Sequence, residues 1–156
     1  MLYRSMYEKE YFEKIKKYET HDKHLRRWYK RVKGCKTLLD VGCGNGYLVQ
    51  YLRERGIKAL GLDFSEFAGT TTGYFIQHDA TNGLPFDDET FDVVISSDFF
   101  EHLPEDKIDF VRDEMLRVGK RVIALINYKK EKIDNTHLTI KPKEWWVDKL
   151  KEVIII

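Results

Sequence analysis

The residues best suited to chemistry begin at Asp40. In "LLDVGCGNGYL", residues 38–48, an apolar run ends in an acid, and Gly42, Gly44 and Gly46 follow at alternate positions. Glycine admits positive φ and lets a ligand approach the backbone closely. A helix reads from Gly46 to Arg55 and is closed by Gly56. Its first turn offers free N–H groups and the positive end of the helix dipole. Such a turn suits a nucleotide-like group with an anionic tail. Asp40 narrows the choice, because a carboxylate at the strand tip repels a pyrophosphate. A dinucleotide turn needs G-x-G-x-x-G, and Tyr47 stands where the third glycine belongs. The ligand is therefore partly cationic, with an ammonium against Asp40 or a water between them. A nicotinamide oxidoreductase fits least.

A second chemical stretch is "DFFEHL", residues 98–103. On a helical turn Asp98, Glu101 and His102 share one face, at i, i+3 and i+4. Two carboxylates and an imidazole have the donors for a divalent cation. The competing reading is that the Glu-His pair orients its loop, and no metal is expected. His102 is the better candidate for a general base. No nucleophile–base–acid triad is visible.

The elements that position these groups follow from periodicity. Apolar runs at 37–41, 58–62, 74–77, 91–97, 121–126 and 153–156 read as strands. Helices are expected at 46–55, 104–118 and 142–151, with Glu105 and Asp106 in the first turn of the second and Gly119 past its end. Strands alternating with helices make βαβ units and a parallel sheet covered on both faces. Between Asp63 and Tyr74 lie three threonines and two glycines, so the crossover there has one helical turn or none. Before all this, Tyr7, Tyr11, Ile15 and Tyr18 recur at helical spacing, and Leu25, Trp28, Tyr29 and Val32 mark a second amphipathic helix. The expected organisation is an N-terminal helical cap, 1–36, followed by a ligand-binding domain, 37–156.

With 156 residues the chain is long enough for one real core, and no apolar run approaches the ~20 residues of a membrane span. Residues 2–13 are already charged and aromatic, so no secretory leader is expected. The two cysteines, Cys35 and Cys43, make no disulfide framework, which suggests a reduced, cytoplasmic setting. The net charge of +1 gives no overall pull toward nucleic acid. Residues 23–36, "KHLRRWYKRVKGCK", lack any acid and interleave Trp28 and Tyr29; they read as a solvated helix face or, less readily, as an RNA contact.

Four motifs in order carry a family resemblance. "LLDVGCGNGYL", "LGLDFS" at 60–65, "HDATNGLPFDDETFDVVISSDFFEHLP" at 78–104 and "HLTIKPKEWWVDKL" at 137–150 resemble the class I S-adenosylmethionine (SAM)-dependent methyltransferases, in the small-molecule, type 11-like branch. The resemblance implies a Rossmann-like, doubly wound, mostly parallel α/β sheet, with SAM as cofactor and a small-molecule acceptor. By the same resemblance Asp40, Gly42, Cys43, Gly44 and Gly46 approach the methionine moiety. Asp63, 21 positions after Gly42, accepts from the ribose diol. Asp79 and Ala80 border the adenine, Phe64 packs on it or in the core, and Ser97 and Asp98 flank the methyl donor. His102 acts near the acceptor, His137 stands at the substrate mouth, and Tyr3, Tyr7 and Tyr11 line a lid. Of Trp145 and Trp146, one is expected on the sheet and the other outward.

The chain departs from the seven-stranded pattern: "KEVIII" follows the last helix with one apolar run, so the last strand is expected to be missing. An open hydrophobic edge invites pairing, and a homodimer or a shortened gene product is expected. Methylation of RNA or protein, and a SAM-binding scaffold without catalysis, remain the alternatives.

Overall fold

The computed structural model describes residues 6–128 and 136–156. Tyr3 lies outside the described residues. Helices α1 (Lys9–Glu19) and α2 (Asp22–Val32) precede β1 (Thr37–Val41), α3 (Tyr47–Arg53), β2 (Lys58–Asp63), β3 (Phe75–Gln77), β4 (Val93–Ser97), α4 (Ile108–Val118), β5 (Val122–Leu125), α5 (Lys143–Lys149) and β6 (Ile154–Ile155). The strands form one sheet in the order β3-β2-β1-β4-β5-β6. Every pairing among the described residues is parallel, in keeping with the Rossmann-like, mostly parallel α/β sheet expected.

Strand alternation divides the core between the two faces. Leu38, Val93, Ile95 and Ile123 point to one face and meet Trp28 and Val32 of α2 and Leu48, Val49 and Leu52 of α3. Leu39, Val94, Val122 and Ala124 point to the other and meet Ile108, Val111 and Met115 of α4 and Trp146 of α5. Parallel strands buried on both sides need near-continuous apolar runs, and β1 and β4 have them. Trp146 is buried on the sheet, and Trp145, partly buried, stacks edge-on against it at 5.0 Å.

Crossover 64–73 has turns and bends but no helix. Its threonines and glycines resist helix formation. Instead α1 covers it: Tyr7, Phe12 and Ala68 form a third, small cluster with Phe64 and Phe75. Helix 104–118 begins later than its proline suggests. Glu105–Lys107 is a 3₁₀ turn, with the Lys107 N–H donating to the Pro104 carbonyl at 2.9 Å, and the α-helix starts at Ile108. Strand β6 lies at one edge of the sheet beside β5, with Ile154 47% exposed.

The order reverses between β1 and β4. In open α/β sheets this is where ligands bind, beyond the carboxyl ends of the strands.

Candidate functional site

A cavity of about 720 Å³ opens at that point. Asp40, Gly42, Cys43, Gly44, Asp63, Phe64, Asp79, Ala80, Ser97 and His102 all line it. Of the cofactor residues expected from sequence, Gly46 alone is off the wall. It is the N-cap of α3 with φ +84°, and Thr72 fills the space beside it.

The glycine turn is tied to its neighbour strand. The N–H groups of Gly42 and Cys43 both donate to the Leu62 carbonyl, at 2.8 and 3.1 Å. Asp63 completes the tie: Oδ2 accepts from the Gly44 N–H at 3.2 Å and Oδ1 from the Ser65 N–H at 3.1 Å. So Asp63 shapes the turn as well as facing the cavity. At Gly44, φ is +55° and a Cβ would overlap Glu19 Oε1; at Gly42, φ is +76° and a Cβ would overlap the Phe99 ring. The close approach that glycine permits is thus made by two of the chain's own side chains.

Glu19, at the end of α1, went unnoticed in the sequence. Its Oε1 accepts from the Asn45 N–H at 2.9 Å and its Oε2 from Asn45 Nδ2 at 2.7 Å, while Nδ2 also donates to the Phe12 carbonyl at 2.9 Å. Asn45 therefore fastens α1 to the glycine turn. A signal existed: stepping by four from Tyr7 through Tyr11 and Ile15 reaches Glu19, an acid on the inward stripe, whereas Tyr18 is exposed.

Three carboxylates, Asp40, Glu19 and Asp63, meet here. Asp40 is 3% exposed and its Oδ1 has no hydrogen-bond partner among the described residues. Burial, then the Glu19 and Asp63 charges, push Asp40 up to about 8. Burial pushes Glu19 up to about 7 against the Asn45 hydrogen bonds, with Asp63 adding to the rise. Burial pushes Asp63 up to about 6 against its backbone donors. Burial also drives the Cys43 thiol well up, so it stays protonated and makes a poor nucleophile.

Asp79 Oδ1 accepts from the Thr81 N–H at 2.9 Å and hydroxyl at 2.7 Å, capping the 3₁₀ turn Ala80–Asn82. Phe64 meets Tyr7 edge-on at 5.1 Å, and Tyr7 meets Tyr11 at 4.8 Å. These three aromatics form part of the cavity wall.

Beyond β4 the stretch differs from the single helical turn expected. Asp98 is exposed with φ +50°, and a 3₁₀ turn begins only at Phe100. The group whose donors converge is Glu101, His102 and His137, within 4.8 Å of one another, and Asp98 is not in it. Glu101 is fully buried; its Oε1 accepts from the Asn127 N–H at 2.8 Å and its carbonyl from the Leu138 and Thr139 N–H groups. It pins the loops after β5. His102 Nδ1 lies 3.2 Å from the Thr136 carbonyl and 2.9 Å from the Thr136 hydroxyl, so Thr136 holds the ring in place. Its ring stands 4.7 Å from that of His137.

On α2, Trp28 is wholly buried and Tyr29 stacks on Tyr51 at 6.4 Å, so the aromatics of the basic stretch belong to the packing. No helix among the described residues is long and apolar enough to cross a membrane.

Residues 39–122 match the family model described as a methyltransferase domain. Norajmaline N-methyltransferase of Rauvolfia serpentina is 32% identical over 124 residues, covering 70% of this chain and 41% of that protein. Ubiquinone biosynthesis O-methyltransferase of Aliivibrio fischeri is 31% identical over 100 residues, covering 56% and 42%. The chain thus spans about two fifths of the length of these curated relatives. Among solved structures, a SAM dependent methyltransferase from Archaeoglobus fulgidus superposes with a TM-score of 0.71 at 26% identity, covering 81% of this chain and 64% of that one. One from Aquifex aeolicus superposes at 0.67 with 20% identity, covering 92% and 86%, a likeness of fold.

Proposed function

The chain belongs to the methyltransferase domain family, whose fold implies SAM as cofactor; from this premise we propose that it seats SAM in the cavity beyond β1 and β2 and methylates a small-molecule acceptor. The observation that carries the reading is the acidic end of that cavity, where the buried Asp40 Oδ1 has no hydrogen-bond partner among the described residues. A ligand with an ammonium and a sulfonium answers that charge, and a pyrophosphate does not.

In this reading Asp63 takes the ribose hydroxyls while its backbone donors hold the turn. Asp79, Ala80 and Phe64 frame the adenine. Asp40 and the turn Gly42-Cys43-Gly44 take the amino-acid end, and Ser97 closes the opposite side. The cofactor supplies an electrophilic methyl group on a positively charged sulfur. The chain's own task is to align an acceptor, exclude water and remove a proton where the acceptor brings one. His102 suits the last role, its imidazole lining the cavity and its Nδ1 held against Thr136. Tyr7, just before α1, and Tyr11 of α1 supply an apolar wall, so we also propose that residues 1–36 act as a cover on domain 37–156. The proposed setting is cytoplasmic, with pairing of a second copy along the β6 edge.

The acceptor class separates this reading from its alternatives. Methyl transfer from labelled SAM to a panel of phenols, amines and carboxylates is expected. Transfer to RNA or protein alone would replace the small-molecule reading, and SAM binding without any transfer would favour a scaffold.

A further inference from the structure

We propose that Glu19 is a cofactor-binding residue: with Asp40 it forms a two-carboxylate seat for the α-ammonium group at the amino-acid end of the cofactor, so that α1 is part of the cofactor site. The inference rests on the reading that the cavity takes SAM.

Glu19 and Asp40 line the same cavity, and Glu19 lies directly over Gly44, where the turn admits closest approach. The Glu19 carboxylate is oriented before any ligand arrives, because Asn45 donates to both its oxygens. A carboxylate oxygen accepts more than one hydrogen bond. Each Glu19 oxygen therefore keeps acceptor capacity after its bond to Asn45. Asp40 brings the second acceptor, a buried Oδ1 with no hydrogen-bond partner among the described residues. The charges felt by Asp40 are those of Glu19 and Asp63, both negative. A group with several N–H donors and a positive charge satisfies both carboxylates at once, and an ammonium is such a group.

The test compares three nucleoside probes by calorimetry on the wild type and Glu19→Gln. SAM and S-adenosylhomocysteine carry the ammonium; 5′-methylthioadenosine has the same nucleoside and no amino-acid end. Glu19→Gln is expected to weaken both amino-acid-bearing ligands by roughly 10- to 100-fold, the loss of a charge-assisted hydrogen bond. Methylthioadenosine is expected to change by less than about twofold. Equal weakening of all three would make Glu19 a mere wall and overturn the inference. Tighter binding of S-adenosylhomocysteine by Glu19→Gln would also overturn it, since Glu19 would then be blocking the seat. Glu19→Asp, which keeps the charge, is expected to bind both amino-acid-bearing ligands more tightly than Glu19→Gln; the reverse order would count against a charge role. Unchanged affinity of Glu19→Gln for both amino-acid-bearing ligands sinks this inference alone; wild-type binding of methylthioadenosine without them sinks the cofactor reading as well. Binding of none of the three sinks the cofactor reading with it.

Discussion

Asp40→Asn is expected to make the cofactor-free protein more stable at pH 8 than the wild type. Burial and the Glu19 and Asp63 carboxylates raise Asp40 from 3.8 to about 8 in the folded chain. An unfolded chain loses that proton at 3.8. Folding between these values takes up a proton, so the stability present below pH 3.8 is lost as pH rises through 8. The span is about 4 pH units, and at about 1.4 kcal/mol per unit it bounds the loss at roughly 6 kcal/mol. Asparagine has the same shape and no charge. Removing one charge also eases the ionisation of Glu19 and Asp63, the other titrating carboxylates facing it, while the Cys43 thiol stays neutral. A gain of about 2 kcal/mol, well inside the bound, corresponds to roughly 4–8 °C in Tm for a chain of this size. Thermal melts from pH 4 to 9 check this: the two proteins converge near pH 4 and separate as pH rises. A variant that melts at or below the wild type at pH 8 would refute the claim that Asp40 is a buried, uncompensated acid. The same variant is expected to lose cofactor affinity, so stability and binding move in opposite directions.

Other perturbations follow from the same geometry. Asp63→Asn removes one strong acceptor and is expected to weaken S-adenosylhomocysteine roughly tenfold, read by calorimetry. His102→Ala is expected to lower kcat by about 100-fold for an acceptor that arrives protonated and to flatten the pH–rate profile, with SAM affinity unchanged. Trp28→Ala, at a wholly buried site, is expected to cost about 3–5 kcal/mol by denaturant melts. Glu114→Gln is expected to cost about 1–2 kcal/mol, because its carboxylate accepts from the Leu84 N–H at 2.7 Å and from Arg117 Nε at 2.7 Å and fixes the chain beside Leu84.

The sheet was legible because its signal is local. Each buried parallel strand is a short apolar run, and Leu38 and Leu39 part to opposite faces by alternation alone. That Gly42, Gly44 and Asp63 would line a cavity was legible for a similar reason: they stand at and just after the tips of strands in a parallel sheet. What escaped notice depends on contacts between distant parts of the chain. Nothing next to Glu19 announces that it will meet Asn45, 26 residues away, and close over Gly44. The place of Asp98 escaped too, because helical spacing presumes a helix, and its φ of +50° sends the chain into a bend first. Glu101 and His102 then turn toward His137, which comes from beyond β5.

The most direct test of the account is the structure of this protein soaked with S-adenosylhomocysteine. The account predicts the ligand in the cavity beyond β1 and β2, both ribose hydroxyls within hydrogen-bonding distance of Asp63 and the amino-acid end at Asp40. A cavity left empty at saturating ligand, or a ribose bound away from Asp63, would contradict it.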